Sequence, residues 1–180
     1  MRLDFGRPEA PEYLAVLNGL LTFHTAVADF SLETAARELG PDIALLSRTQ
    51  ALRADIRLMS ERLPDATDEA RVSHHGQVFA NQLCGGREER VGVAYVAAGS
   101  VLGGRVIAAN LAACGCGDFP RSFFASEGLD LGRQWRRFKT ALDDFGEAGA
   151  DSGRVVAGAL AAFGLIRDIL SDPDASTGAA

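Results

Sequence analysis

The sequence predicts an all-α fold, a single-domain helical bundle rather than a regular coiled coil. Three observations predict it. Apolar residues recur every three or four positions through each long segment. No run alternates polar and apolar residues long enough to build a half-buried strand. The strand-like runs Val91 to Val96 and Val155-Val156 both sit inside longer helical patterns. Nothing repeats at a fixed period.

The first helix is expected from Glu9 to about Phe30. Pro11 falls in its first turn, where a missing N–H costs nothing. Leu14, Leu17, Leu21 and Val27 form its apolar stripe, widened by Leu20, Phe23 and Phe30. Ser31 reads as the N-cap of a short second helix that stops at Gly40. Pro41 opens a third helix to about Leu63, with Ile43, Leu46, Leu52, Ile56 and Met59 inward, and Pro64-Asp65 ends it. Residues 64–86, which include His74-His75-Gly76, read as a loop with one helical piece at most.

A long apolar helix follows from about Glu88 to Cys114, closed by Cys114-Gly115-Cys116-Gly117. Pro120 to Gly132 connects it to an amphipathic helix, Gly132 to Phe145, with Trp135, Phe138 and Leu142 on one face. Ser152 reads as the N-cap of a last helix ending at Leu170. The domain is expected over residues 1–171, with a flexible tail over 172–180.

Composition narrows the function classes. A chain of 180 residues is one domain's worth, and 47% hydrophobic with 23% charged residues is globular. The net charge of −6 disfavours nucleic acid as main partner. The first fifteen residues contain no apolar signal region, and Gly, Arg or Asn break the apolar runs, so no secretion and no membrane span are expected. Three cysteines (Cys84, Cys114 and Cys116) give no disulfide framework and suit a reducing cytoplasm.

The informative stretch is Tyr95-Val-Ala-Ala-Gly-Ser-Val-Leu-Gly-Gly-Arg105. Each helical glycine costs about 0.5–1 kcal/mol relative to alanine. Gly99, Gly103 and Gly104 together cost ~2–3 kcal/mol. Either close helix packing or a bend in the helix offsets that, or a flat ligand approaches bare backbone there.

This stretch resembles the distal-helix signature of the bacterial, biliverdin-producing heme oxygenases, close to Tyr-Val-Leu-Glu-Gly-Ser-x-Leu-Gly-Gly. Downstream, Phe123-Phe124-Ala-Ser-Glu-Gly, Trp135-Arg-Arg-Phe138 and the run from Ala162-Phe163 to Asp168-Ile-Leu170 fit as well. Upstream, Tyr13-Leu-Ala-Val-Leu17 and Ala51-Leu-Arg-Ala-Asp55 agree, so the resemblance covers roughly residues 3–171.

The resemblance implies a heme-oxygenase-like fold and a heme-degrading role yielding biliverdin, carbon monoxide and iron, fed by an electron donor protein. It implies that Gly99, Gly103 and Gly104 line the distal side of the heme with Ser100 beside them. It implies that Arg133, Arg136 or Arg137, on the helix carrying Phe138, faces the propionates. The family's proximal histidine lies on a first helix ahead of the segment matched by Arg2 to Tyr13, so no residue of this sequence occupies that position. Its Glu before Gly-Ser is Ala98 here.

Heme iron takes an axial His, Cys, Tyr or Met. His24, on an apolar helical face, is the candidate ligand, and a packed core histidine is the competing reading. His74-His75 lies in a polar segment without zinc-ligand spacing. Cys114-Gly115-Cys116 could bind metal or cycle redox, against the commoner reading of structural cysteines. Arg133, Arg136, Arg137 and Lys139 are either a solvated helix face or carboxylate-binding forks. Three functions are carried forward: a catalytic heme oxygenase, a degenerate member that binds heme or another tetrapyrrole without turnover, and a helical interaction or regulatory module.

Overall fold

The computed structural model describes residues 7–40, 42–43, 47–63 and 85–171. Among them there are helices and no strands. The helices are α1 (Ala10–Phe23), α2 (Asp29–Leu39), α3 (Thr49–Ser60), α4 (Arg87–Ala113), α5 (Ser122–Ala125), α6 (Leu131–Glu147) and α7 (Ser152–Ser171). A π turn, His24–Ala28, joins α1 to α2.

The core falls into two clusters that share α4. The first packs Val91 to Ala98 of α4 against Leu32 and Ala35 of α2, Phe138 and Phe145 of α6, and Ala162 and Leu165 of α7. The second packs Ala108 and Leu111 against α1, α3 and Phe123-Phe124 of α5. The α1 residues up to Leu21 serve the second cluster, and Phe23 and Val27 serve the first. The π turn lies at that changeover. Its extra residue rotates the apolar face from one cluster to the other.

The helical run from α1 to α2 therefore continues past Ser31, which is buried inside α2 rather than capping it. The expected cap is overturned because the helix never stops there. Phe30, expected in the stripe, is exposed under the Arg90 guanidinium at 4.3 Å. The α2 helix does stop at Gly40, whose φ of 119° a β-carbon would resist. The third helix begins at Thr49, not at Pro41. Residues 42–43 form a single tight turn, and Pro41 and Leu46 lie outside the described residues. Ile43, Leu52, Ile56 and Met59 are buried as expected.

The α4 helix is long and apolar enough to cross a membrane by length and composition. Here it is the central helix of the fold, and its most extensive packing is against α7. The connection after α4 contains α5, which the sequence pattern did not separate. The α7 cap is Asp151, whose carboxylate accepts from the Arg154 N–H at 3.2 Å, one residue ahead of the expected Ser152. Asp130 caps α6 in the same way through Arg133 N–H at 3.0 Å. His74, His75, Cys84 and the tail lie outside the described residues.

Candidate functional site

The glycines of α4 divide into two groups. A Cβ at Gly92 would overlap the Val155 carbonyl oxygen, and one at Gly158 would overlap the Glu89 carbonyl. These two glycines let α4 and α7 touch backbone to backbone. A Cβ at Gly104 would come within 3.0 Å of the Phe124 carbonyl oxygen, so α5 requires that glycine. Among the described residues the nearest atom at Gly99 is the tip of the Trp135 ring at 3.7 Å, and none lies within 4 Å at Gly103. Packing explains Gly92 and Gly104. It does not explain Gly99 and Gly103.

Those two open glycines sit between the core clusters. On α4 the buried members of the first cluster stop at Ala98, and those of the second resume at Ala108. Positions 99, 103, 106 and 110 follow one line along a helix. The line Gly99, Gly103, Val106, Asn110 is half-buried at its start and exposed thereafter.

Beside it lies an apolar cavity of about 190 Å³. Ser100, Ile107 and Leu111 form its α4 wall, and Val16, Phe124 and Leu170 are among the residues that close it. Ser100 donates to the Ala97 carbonyl at 2.7 Å, which holds its oxygen at the wall with acceptor capacity to spare. Tyr13 also lines the cavity. Its hydroxyl donates to the Pro120 carbonyl at 2.7 Å, and burial holds its pKa well above the usual phenol range.

Below the short helix α5, Asp55 is fully buried on α3. It accepts from the Ser122 N–H at 3.0 Å, the Ser122 hydroxyl at 2.6 Å and the Phe123 N–H at 2.8 Å. These bonds satisfy the first N–H groups of α5. They fix Phe123 and Phe124 against the cavity. Sequence reasoning noted Asp55 only inside a matched segment, because no local pattern shows what a helix end will meet across the fold.

The structure brings Gly99, Gly103 and Ser100 to one open face and gives Gly104 to packing. It does not bring the others there. His24 is fully buried at the start of the π turn, with the rings of Phe23 and Phe123 each 5.4 Å away edge-on. It is not among the residues that line the cavity. Phe138 is fully buried and stacks on Trp135 at 5.6 Å and 7° between planes, so it backs the indole rather than facing solvent. Trp135 is the side chain of α6 that reaches the open face, and it also meets Tyr95 at 5.4 Å.

The arginines of α6 are exposed. Arg137 is paired with Asp42. Arg136 and Arg137 border a polar groove with Asp42 and Asp144, separate from the cavity lined by Ser100. Among the described residues no group of three or more His, Cys, Asp or Glu could hold a metal ion.

The family model described as heme oxygenase matches residues 5–172. No curated protein and no solved structure matches the chain.

Proposed function

The chain belongs to the heme oxygenase family, and from that premise we propose that it binds a tetrapyrrole, heme or a close relative, on the open face of α4. The observation that carries this reading is the pair Gly99 and Gly103, two helical glycines that no neighbour among the described residues requires. A flat ring can approach bare helix backbone where a side chain would hold it off. The cavity is smaller than the ~300–1,000 Å³ of a pocket that encloses its ligand. One edge of the macrocycle would enter it beside Ser100, and the rest would lie along Gly103 and Val106 toward Trp135. Arg136 borders the separate polar groove beyond Trp135, so we assign it a propionate only where the edge of the ring extends past Trp135 to that groove, since Arg137 is already paired.

The described residues fit the ring and not the iron. None of the cavity-lining residues is a histidine, cysteine or methionine. Tyr13 is committed to Pro120, and its raised pKa opposes the phenolate form that would ligate iron. His24 lies outside the cavity lining, with the Phe123 ring against it. Oxidative cleavage of heme would need an axial ligand that the described residues of this face do not supply, so recognition of the ring is the favoured reading.

The test is a paired titration of the intact chain with hemin and with metal-free protoporphyrin IX, followed by the Soret band and by porphyrin fluorescence. Saturable one-to-one binding of both, with affinities within about tenfold, is the expected result. Gly103→Leu should weaken both by about tenfold or more while leaving the helical circular dichroism unchanged. A hemin spectrum identical to free hemin in folded protein would sink the proposal. Hemin bound far more tightly than protoporphyrin, with an axially ligated spectrum, would instead favour the catalytic reading and call for turnover with a reductant.

A further inference from the structure

The end of α4 carries a motif that ring binding does not use, Cys114-Gly115-Cys116. The Cys114 N–H donates to the Asn110 carbonyl at 2.9 Å and closes the helix. Gly115 then takes a φ of 86° and reverses the chain. The Cys116 N–H returns to the Leu111 carbonyl at 3.0 Å, the six-to-one bond of a glycine-terminated helix. The Cys114 thiol donates to that same carbonyl at 3.3 Å. Both cysteines are thus gathered around one oxygen, and their side chains interact directly.

Both are free thiols in unlike surroundings. Cys114 is half-buried. Cys116 is buried, with its thiol 3.9 Å from the Pro8 carbonyl. Burial and then the contact with Cys114 push the Cys116 thiol up. Two thiols do not close a metal site. A groove bordered by Arg7, Pro8, Gly115, Cys116 and Asp118 gives a small solute access to the turn.

We propose that Cys114 and Cys116 form a reversible disulfide site, with Cys114 as the attacking thiol and Cys116 as the resolving one. The oxidant is a small-molecule disulfide of the glutathione class. The Cys114 thiolate bonds one sulfur of the oxidant and expels one glutathione thiolate, which takes up the proton Cys114 lost. Cys116 then gives up its proton, attacks the Cys114 sulfur and expels the second glutathione. Two electrons pass from the cysteine pair to the oxidant, which leaves as two thiols. The proximity of the pair across one glycine drives the second step. The short span of a disulfide, with Cβ atoms ~3.8 Å apart, is within reach of residues folded around one carbonyl.

The intact chain is equilibrated with reduced and oxidised glutathione, alkylated, digested with trypsin and weighed. Both cysteines fall on the peptide Val106–Arg121, and Cys84 falls on another. The expected product in excess glutathione disulfide is Val106–Arg121 lighter by two hydrogens and closed to alkylation, with the dithiol restored by reduced glutathione. Cys116→Ser should instead trap Cys114 as a glutathione adduct, and Cys114→Ser should abolish the internal disulfide. A peptide that stays fully alkylated in excess glutathione disulfide overturns the proposal. So does a cross-link to the Cys84 peptide as the main product.

Discussion

Glycine in a helix has two meanings in this protein, and the distance to the nearest neighbour separates them. Gly103→Ala adds a methyl group where no described residue lies within 4 Å. It should raise stability by about 0.5–1 kcal/mol, the ordinary helix propensity gain, while weakening tetrapyrrole binding. Opposite signs in urea melts and in ring titration would mark a glycine kept for a ligand. Gly104→Ala places its methyl at 3.0 Å from the Phe124 carbonyl and should destabilise instead. Asp55 is the other residue whose role is set by what it meets. Asp55→Ala leaves the Ser122 and Phe123 N–H groups without their acceptor, the Phe123 one in a buried site. The expected loss is about 3 kcal/mol, read as a lower urea midpoint. A variant as stable as the parent would show that water replaces the carboxylate.

The α4–α7 contact rests on two glycines and is closed at its edge by Arg154, which donates to Glu89 at 2.6 and 3.1 Å. The Arg154 hydrogen bonds hold the Glu89 carboxyl below its ordinary pKa. A carboxylate whose folded pKa is depressed adds stability that is present above the unfolded pKa. That stability is lost as pH falls through the folded value. Glu89→Gln should therefore cost stability near pH ~7 and cost progressively less toward pH ~3, because the parent loses the same interaction there. A difference that does not shrink in acid would remove the ion pair from the account. The pair sits at a solvent-exposed edge, so the effect is small and falls with salt. The outer face of α7, by contrast, leaves Val156, Leu160 and Phe163 exposed. Leu160→Gln should change the thermal midpoint little, since it removes no buried contact.

At the scale of the whole molecule, a chain of net charge −6 would take up an anionic ring. Long-range repulsion opposes that, and local arginine must offset it. Arg136→Glu should weaken binding of hemin more at low salt than at high salt, and should leave binding of a propionate diester unaffected. Equal loss for the acid and the ester would remove the propionate role from Arg136. The all-α class, the long helix, the Trp135 and Phe138 face and the stop at Gly40 were legible in the sequence, because 3.6-residue periodicity and glycine at a helix end are local signals. The family was legible too, because the window from Tyr95 to Arg105 resembles its distal-helix signature. The π turn was not legible, since α1 and α2 together read as one apolar pattern and only the existence of two clusters requires a change of register. Nor could the window say which of its glycines is packed and which is bare. That distinction belongs to Phe124 at one position and open space at the other. The sequence by itself determined the helical class, the long helices and the family. The tertiary structure decided which side chains share a face, sinking His24 among phenylalanine rings and turning Phe138 into the core, because burial depends on neighbours distant in the chain and not on spacing along it.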